Sequence, residues 1–231
     1  TKTTTKKTKT KKMNEDNAFL ELVQILDVLR MLKEYVDIDN LLASSKILQS
    51  YRKKMRYWNL TRDAGILYYH CEQFRKKVLA CMQTPQVQLS LQLGCNCITD
   101  VSSLGNVHTL DLSGCENITD VSSLGNVHTL NLSCCYGITD VSRLGNVHTL
   151  NLHSCQGITD VSSLDNVHTL NLSSCRGITV VSSLGNVHTL DLRWCERIRD
   201  FSSLGNVHTL DLSYCFGIRD VSSLGNVHTL Y

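Results

Sequence analysis

A single proline, Pro85, occurs in 231 residues, and no apolar run approaches the roughly 20 residues that a membrane-spanning helix needs. The first apolar stretch, residues 18–32, carries Glu21, Asp27 and Arg30, which sets it apart from a secretory leader. The expected compartment is therefore cytoplasm or nucleus. Glycine-rich phosphate loops, hydrolytic triads and clustered metal ligands are also missing, so no catalytic residue, metal or cofactor is expected. Positive charge is scarce once the N-terminus is set aside. The net charge is +2, but residues 1–12, TKTTTKKTKTKK, hold six of the 23 basic residues, and without them the balance is 17 − 21 = −4. That run of Thr and Lys precedes the first methionine, Met13, and reads either as untranslated A-rich sequence or as a disordered basic tail.

What is present is a repeat. The stretch VHTLDLSGCENITDVSSLGN, residues 107–126, returns every twenty residues from Val127, Val147, Val167, Val187 and Val207, and Val227–Tyr231 open one more copy. Within it the order V-x-x-L-x-L-x-x-C-x-x-I resembles the leucine-rich repeat with Cys at the Asn/Cys position. Leu110 and Leu112 are two apart and share one face of a short strand, while Val107, Ile118, Val121 and Leu124 complete the inner lining. One rung cannot enclose that lining, so rungs must stack and their strands must form a parallel sheet at ~4.8 Å spacing. Twenty residues leave no room for an α-helix on the return, where a 3₁₀ turn is expected, capped by Asp120. Gly125-Asn126 is expected to supply a positive φ at the start of the next strand. The fold class is thus α/β, a short-repeat leucine-rich-repeat solenoid with its parallel β-sheet on the concave face and 3₁₀ turns on the convex face. The first rung, from Val87, is atypical, because Leu91 to Ile98 is one residue shorter than Leu110 to Ile118.

Four columns repeat with the rung. Cys115, Cys135, Cys155, Cys175, Cys195 and Cys215 read as buried turn residues: a line of thiols diverges, whereas zinc needs four converging ligands. The histidines from His108 to His228 fall at one rung spacing, so their charged forms repel, their pKa values should be depressed, and acid should destabilise the stack. Asp120, Asp140, Asp160, Asp200 and Asp220, interrupted by Val180, read as caps rather than calcium ligands. Asp111, Asn131, Asn151, Asn171, Asp191 and Asp211 line a polar strand face.

Ahead of the repeats, Phe19, Leu22, Val23, Leu26, Leu29 and Leu32 fall at helical spacing, and shorter apolar clusters follow. The segment ILDVLRMLKEYVDIDNLLASSKILQSYRKKMRYWNL resembles an F-box, its apolar positions matched by Leu26, Leu29, Leu32, Tyr35, Val36, Leu41, Leu42, Ile47, Tyr51, Trp58 and Leu60. The usual Leu-Pro opening is absent, and Tyr51 stands where Trp is common. An F-box ahead of leucine-rich repeats implies a substrate adaptor of a ubiquitin ligase: Leu26, Leu29, Leu32, Tyr35, Leu41, Leu42, Ile47 and Tyr51 would dock a SKP-type adaptor that bridges to a cullin, and the repeats would hold a protein substrate. The alternative makes residues 18–82 a helical lid on the open end of the stack. The near identity of later rungs resembles repeats of large DNA viruses of the marseillevirus kind, which would place the protein in an infected host cell. The organisation expected is a tail at 1–12, a small all-α F-box-like domain at 13–62, a linking helix at 63–86, with Asp63 to Met82 helical, and repeats from 87 to 231. The last rung lacks a cap, so the sequence is expected to be part of a longer chain.

Recognition should lie where the rungs differ, since identical positions are explained by stacking alone. The variable positions follow each strand, and toward the C-terminus they become aromatic and basic: Arg193, Trp194, Arg197, Tyr214 and Phe216 fall on two adjacent rungs, a composition favoured at interface hot spots. Neutral drift at exposed positions is the bland alternative. The readings open at this point are a ligase adaptor and a repeat scaffold that binds protein without a ligase.

Overall fold

The computed structural model describes residues 57–60, 62–81, 88–94 and 97–231, all within the unit that runs from Met55 to Tyr231. The F-box-like residues from Leu26 to Tyr51 lie outside them.

Nine parallel strands form one sheet in simple sequence order: β1 (Tyr57–Leu60), β2 (Gln88–Gln92), then three-residue strands β3 (Thr109–Asp111), β4 (Thr129–Asn131), β5 (Thr149–Asn151), β6 (Thr169–Asn171), β7 (Thr189–Asp191) and β8 (Thr209–Asp211), ending with β9 (Thr229–Leu230). From β3 onward the register advances by one repeat per strand, Leu110 opposite Leu130 opposite Leu150. On the other side run short 3₁₀ turns such as Ser122–Leu124 and Ser162–Leu164. The lining expected from the sequence is buried rung after rung: Val127, Leu130, Leu132, Cys135, Ile138, Val141 and Leu144 are each at most 2% exposed. The short first rung is accommodated without losing register, since Leu91 faces Leu110 while Ile98 remains fully buried, so the missing residue lies in the turn between them.

Hydrogen bonds join neighbouring rungs well beyond the strands. His128 and Thr129 N–H both donate to the His108 carbonyl at 3.0 Å, and past the strand Leu112 N–H donates to the Asn131 carbonyl at 2.8 Å. The cysteine column has a specific job in this scheme. Each thiol from Cys135 to Cys215 donates to the carbonyl of the Leu 23 residues earlier, as Cys155 Sγ does to Leu132 O at 3.1 Å, adding a donor from the next rung to a carbonyl that already accepts the N–H of the Cys three residues on. Burial pushes the Cys135, Cys155 and Cys195 thiols up to about 12, 11 and 12, so the column is protonated and unreactive. Outside this column, Cys97 is disulfide-bonded.

Each acidic cap works as the sequence implies. Asp120, Asp140, Asp160, Asp200 and Asp220 accept the N–H of the Ser two residues on, at 2.8–2.9 Å, as does Asp100. Those bonds hold all six carboxyls below their usual range.

Three expectations need correction. Gly125 is right-handed, with φ −61°, and its missing Cβ leaves room for the Arg143 carbonyl oxygen of the next rung; Asp165 holds the same position at φ −62°, so left-handed freedom is not what the position needs. The left-handed residue is instead the one just before each ladder cysteine: Gly114 at φ 71°, then Cys134, Ser154, Ser174, Trp194 and Tyr214 at 60–62°. The tight turn closed by Cys115 N–H on the Leu112 carbonyl puts this residue at the third position, where a type II turn demands positive φ. Second, Trp58 and Leu60 do not close a helical segment. They belong to β1, paired with Leu89 and Leu91, so the sheet begins inside the stretch that the sequence assigned to the all-α domain. Third, the linking helix is two helices, α1 (Arg62–His70) and α2 (Glu72–Cys81), separated at Cys71. They form the crossover that a parallel β1–β2 pair requires. Helix α1 lies so close to the sheet that a Cβ on Gly65 would stand 2.9 Å from Leu93 Cδ2. Leu79 is 37% exposed, whereas Tyr68 is buried and Arg75 turns inward to the Tyr68 and Tyr69 carbonyls and Ser103 Oγ.

Ser174→Gly should raise stability by about 1 kcal/mol, because the left-handed strain it relieves outweighs the extra freedom glycine gives the unfolded chain; for a unit of this size that is about 2–4 °C in the melting temperature. A lower melting temperature would show the turn to be unstrained. A thiol reagent applied to the native protein should label Cys71 and Cys134, which are partly exposed, and spare the column from Cys115 to Cys215 until denaturant is added. Mass spectrometry of the labelled peptides reads the difference.

Candidate protein-binding site

The cluster at the end of the stack is built by the turn after β7 and β8. Asp191 closes that turn by accepting Arg193 N–H at 3.0 Å, as its counterparts Asp111, Asn131, Asn151, Asn171 and Asp211 do for the residue two positions on. The next residue is left-handed, and in these two rungs it is aromatic. Trp194 and Tyr214 therefore project from equivalent backbone positions and stack, with centroids 4.1 Å apart and planes 8° from parallel. Phe216 meets Trp194 edge to face at 6.3 Å and 76°. Trp194, Tyr214 and Phe216 are 39%, 56% and 75% exposed, so most of this aromatic surface faces solvent. The twenty-residue spacing carries the juxtaposition in the sequence; the stacking follows from the shared left-handed backbone, which the spacing does not reveal.

The arginines divide. The Arg193 guanidinium is gripped by Asp191 at 2.7 Å and lies 3.4 Å from Asp211, and the first of these carboxylates, chiefly, raises its pKa. Its charge is neutralised where it stands, so it buttresses the cluster rather than offering a free cation. Arg197 is exposed on the turn beyond Cys195, where the other rungs mostly carry glycine. Arg199 bends back to the Glu196 and Ile198 carbonyls.

The chain is a leucine-rich-repeat solenoid. No family model matches it, and no curated protein matches it. Among solved structures it is similar to internalin C2 of Listeria monocytogenes (24% identity, TM-score 0.41, covering 63% of this chain and 69% of the other) and to the internalin inlF of the same organism (18%, 0.43, 84% and 66%). It is also similar to a leucine-rich-repeat protein of Leptospira interrogans (15%, 0.42, 81% and 57%).

Two polar features of the solenoid bear on chemistry. One is particular to a single rung and was missed in the sequence, where His153 reads as one variable residue among many. Its Nδ1 lies 2.8 Å from Ser173 Oγ and its Nε2 3.0 Å from Ser154 Oγ, and Ser173 donates in turn to Asn171 Oδ1 at 2.6 Å. The spacing is that of a hydroxyl and its base, but Ser154 N–H is committed to the Ser173 carbonyl at 2.9 Å and cannot stabilise an oxyanion. Among the described residues no group of three or more His, Cys, Asp or Glu is placed to hold a metal ion, and no helix is long and apolar enough to cross a membrane.

The other feature is the histidine ladder. The rings of His108, His128, His148, His168, His188, His208 and His228 stack at 4.5–4.6 Å with planes 9–12° apart, each Nδ1 3.1–3.3 Å from the hydroxyl of the following Thr. Partial burial, then the His128 ring, depresses the His108 pKa; His208 is exposed, and its pKa is depressed by local desolvation, then by His188 and His228. A folded imidazole that binds its proton less readily than an unfolded one contributes stability above the unfolded value of about 6.5, and that contribution is lost as the pH falls below it. The capping aspartates, also depressed, keep their contribution until the pH falls below about 4. The melting temperature should accordingly be lower at pH 5 than at pH 7, through the histidines alone. An unchanged value would mean that the stacked rings do not sense each other's charge.

Proposed function

We propose that this protein is a protein-binding scaffold whose contact centre is the aromatic cluster of Trp194, Tyr214 and Phe216, flanked by Arg193 and Arg197. One observation carries the reading: three large aromatic side chains stand exposed together on adjacent rungs, while the positions equivalent to Trp194 and Tyr214 in earlier rungs hold Gly114, Cys134, Ser154 and Ser174, and the one aromatic equivalent to Phe216, Tyr136, has no aromatic at the left-handed position beside it. Aromatic side chains held rigid by stacking lose little conformational freedom on binding, which suits them to the centre of an interface. The ladder residues present the same surface on every rung, so they offer no address for a particular partner.

The finer reading is that of a substrate adaptor for a SKP–cullin–F-box ubiquitin ligase. It is supported by the order of apolar residues from Leu26 to Tyr51 ahead of a repeat solenoid. Tyr57–Leu60, which the F-box pattern would claim, are strand β1, so the docking stripe would have to be complete by Tyr51.

A photo-crosslinking amino acid at Phe216 should yield discrete protein adducts in cell extract, and Trp194→Ala with Tyr214→Ala should remove them while leaving the circular dichroism spectrum unchanged. Adducts that persist in the double variant would discard the cluster as contact centre. The full chain should also capture a purified SKP-type adaptor, and Leu29→Glu should abolish capture. Failure of the unaltered chain to capture it would remove the ligase reading and leave the scaffold.

A further inference from the structure

The aromatic stack stops abruptly on one side. Trp194 has Tyr214 against one face, 4.1 Å away. The residue at the same left-handed position of the preceding rung is Ser174, and among the described residues neither a ring nor a guanidinium lies over the second indole face. Rungs repeat at the 4.5–4.6 Å of the histidine stack, about the thickness that one planar group requires. Replacing a ring by a hydroxymethyl therefore leaves a step one ring deep beside Trp194, with Ser174 as its floor.

The rung that forms this step, residues 167–186, differs electrically from every other full rung. It carries no carboxylate at all: Asn171 stands at the strand position, and Val180, 62% exposed, replaces the capping aspartate. Its one charged side chain is Arg176, exposed just beyond Cys175. Residues 107–166 carry six carboxylates against Arg143, whereas residues 167–226 hold five arginines against five carboxylates. The step thus lies where the solenoid changes from acidic to balanced, between two exposed cations, Arg176 and Arg197, with Glu196 half-buried on the turn between them. A nucleic acid would also stack on tryptophan, but its continuous run of phosphates would extend past Arg176 onto the acidic earlier rungs, whereas a short anionic segment can stay beside Arg176 and Arg197.

Resting on the protein-binding reading above, we propose that the step over Ser174 receives an aromatic side chain from an acidic segment of the partner, its ring continuing the Trp194–Tyr214 stack and its flanking carboxylates facing Arg176 and Arg197. This assigns the partner a recognisable chemistry: an aromatic residue with acidic neighbours, presented in extended form so that the ring can enter from the solvent side.

Short blocked peptides test this with the full chain at low salt, reading tryptophan emission and backbone chemical shifts. Glu-Tyr-Glu-Glu should bind saturably and perturb Trp194, whereas Glu-Ala-Glu-Glu and Lys-Tyr-Lys-Lys should bind about fivefold more weakly or not at all. Ser174→Trp fills the step with the residue that the next rung already carries in the same backbone conformation; it should fold, by circular dichroism and melting temperature, and lose the peptide. Arg176→Glu should weaken Glu-Tyr-Glu-Glu by about fivefold while leaving the Trp194–Tyr214 stack and the melting temperature unchanged. Equal binding of the tyrosine and alanine peptides, or undiminished binding by Ser174→Trp, overturns the proposal. Preference for an oligothymidylate over the acidic peptide overturns it in favour of nucleic acid. Should the Phe216 crosslinks depend on Trp194 while Ser174→Trp leaves them intact, the scaffold reading stands and this occupant alone fails.

Discussion

Everything in this molecule depends on the fact that a twenty-residue turn of chain cannot bury its own apolar residues. Leu130, Leu132, Cys135 and Ile138 become inaccessible only because identical rungs lie on both sides. The backbone is in the same position: the carbonyl of His108 and the N–H of Leu112 find partners on the following rung, and the thiol of Cys135 reaches back to the one before. Stability is thus a property of neighbouring pairs rather than of any rung alone. Near identity between rungs follows, since each must fit the same two neighbours.

That constraint sorts conserved surface from informative surface within the chain itself. The capping aspartates, the Asn and Asp at strand ends and the histidine column all have local explanations in turn closure or ring stacking, so their repetition implies no ligand. Positions just after the strand are free of such demands, apart from the left-handed backbone at one of them. It is there that Trp194 and Tyr214 appear, tolerated in a conformation that costs an ordinary side chain on the order of 1 kcal/mol. Large side chains kept where glycine would be more comfortable are what the proposed contact surface would account for.

Most of the fold was legible in the sequence because its signal is periodic. Leu110 with Leu112 announces an inward-facing strand, and Asp120 ahead of Ser122 announces a capped turn; both recur too often for coincidence. What stayed hidden is whatever depends on a single event or on geometry without a residue signature. Tyr57–Leu60 make a strand only because β2 offers an edge about thirty residues later, reached through a helical crossover. Gly125 was misread because glycine serves close approach as readily as positive φ, and only the Arg143 carbonyl shows which. The aromatic residues of the cluster were visible as neighbours in the repeat, but the locking of Arg193 between Asp191 and Asp211 was not, since those partners lie two residues away and one rung away.

The claim that rungs are held by their neighbours is tested most directly by amide hydrogen exchange. The account predicts that the Thr and Leu amides of the central strands, from β4 to β7, exchange slowly and to a similar extent, and that protection falls on approaching β9, whose outer neighbour is missing within residues 57–231. Protection that is as high in β9 as in the middle, or that varies irregularly among the identical central rungs, would contradict it.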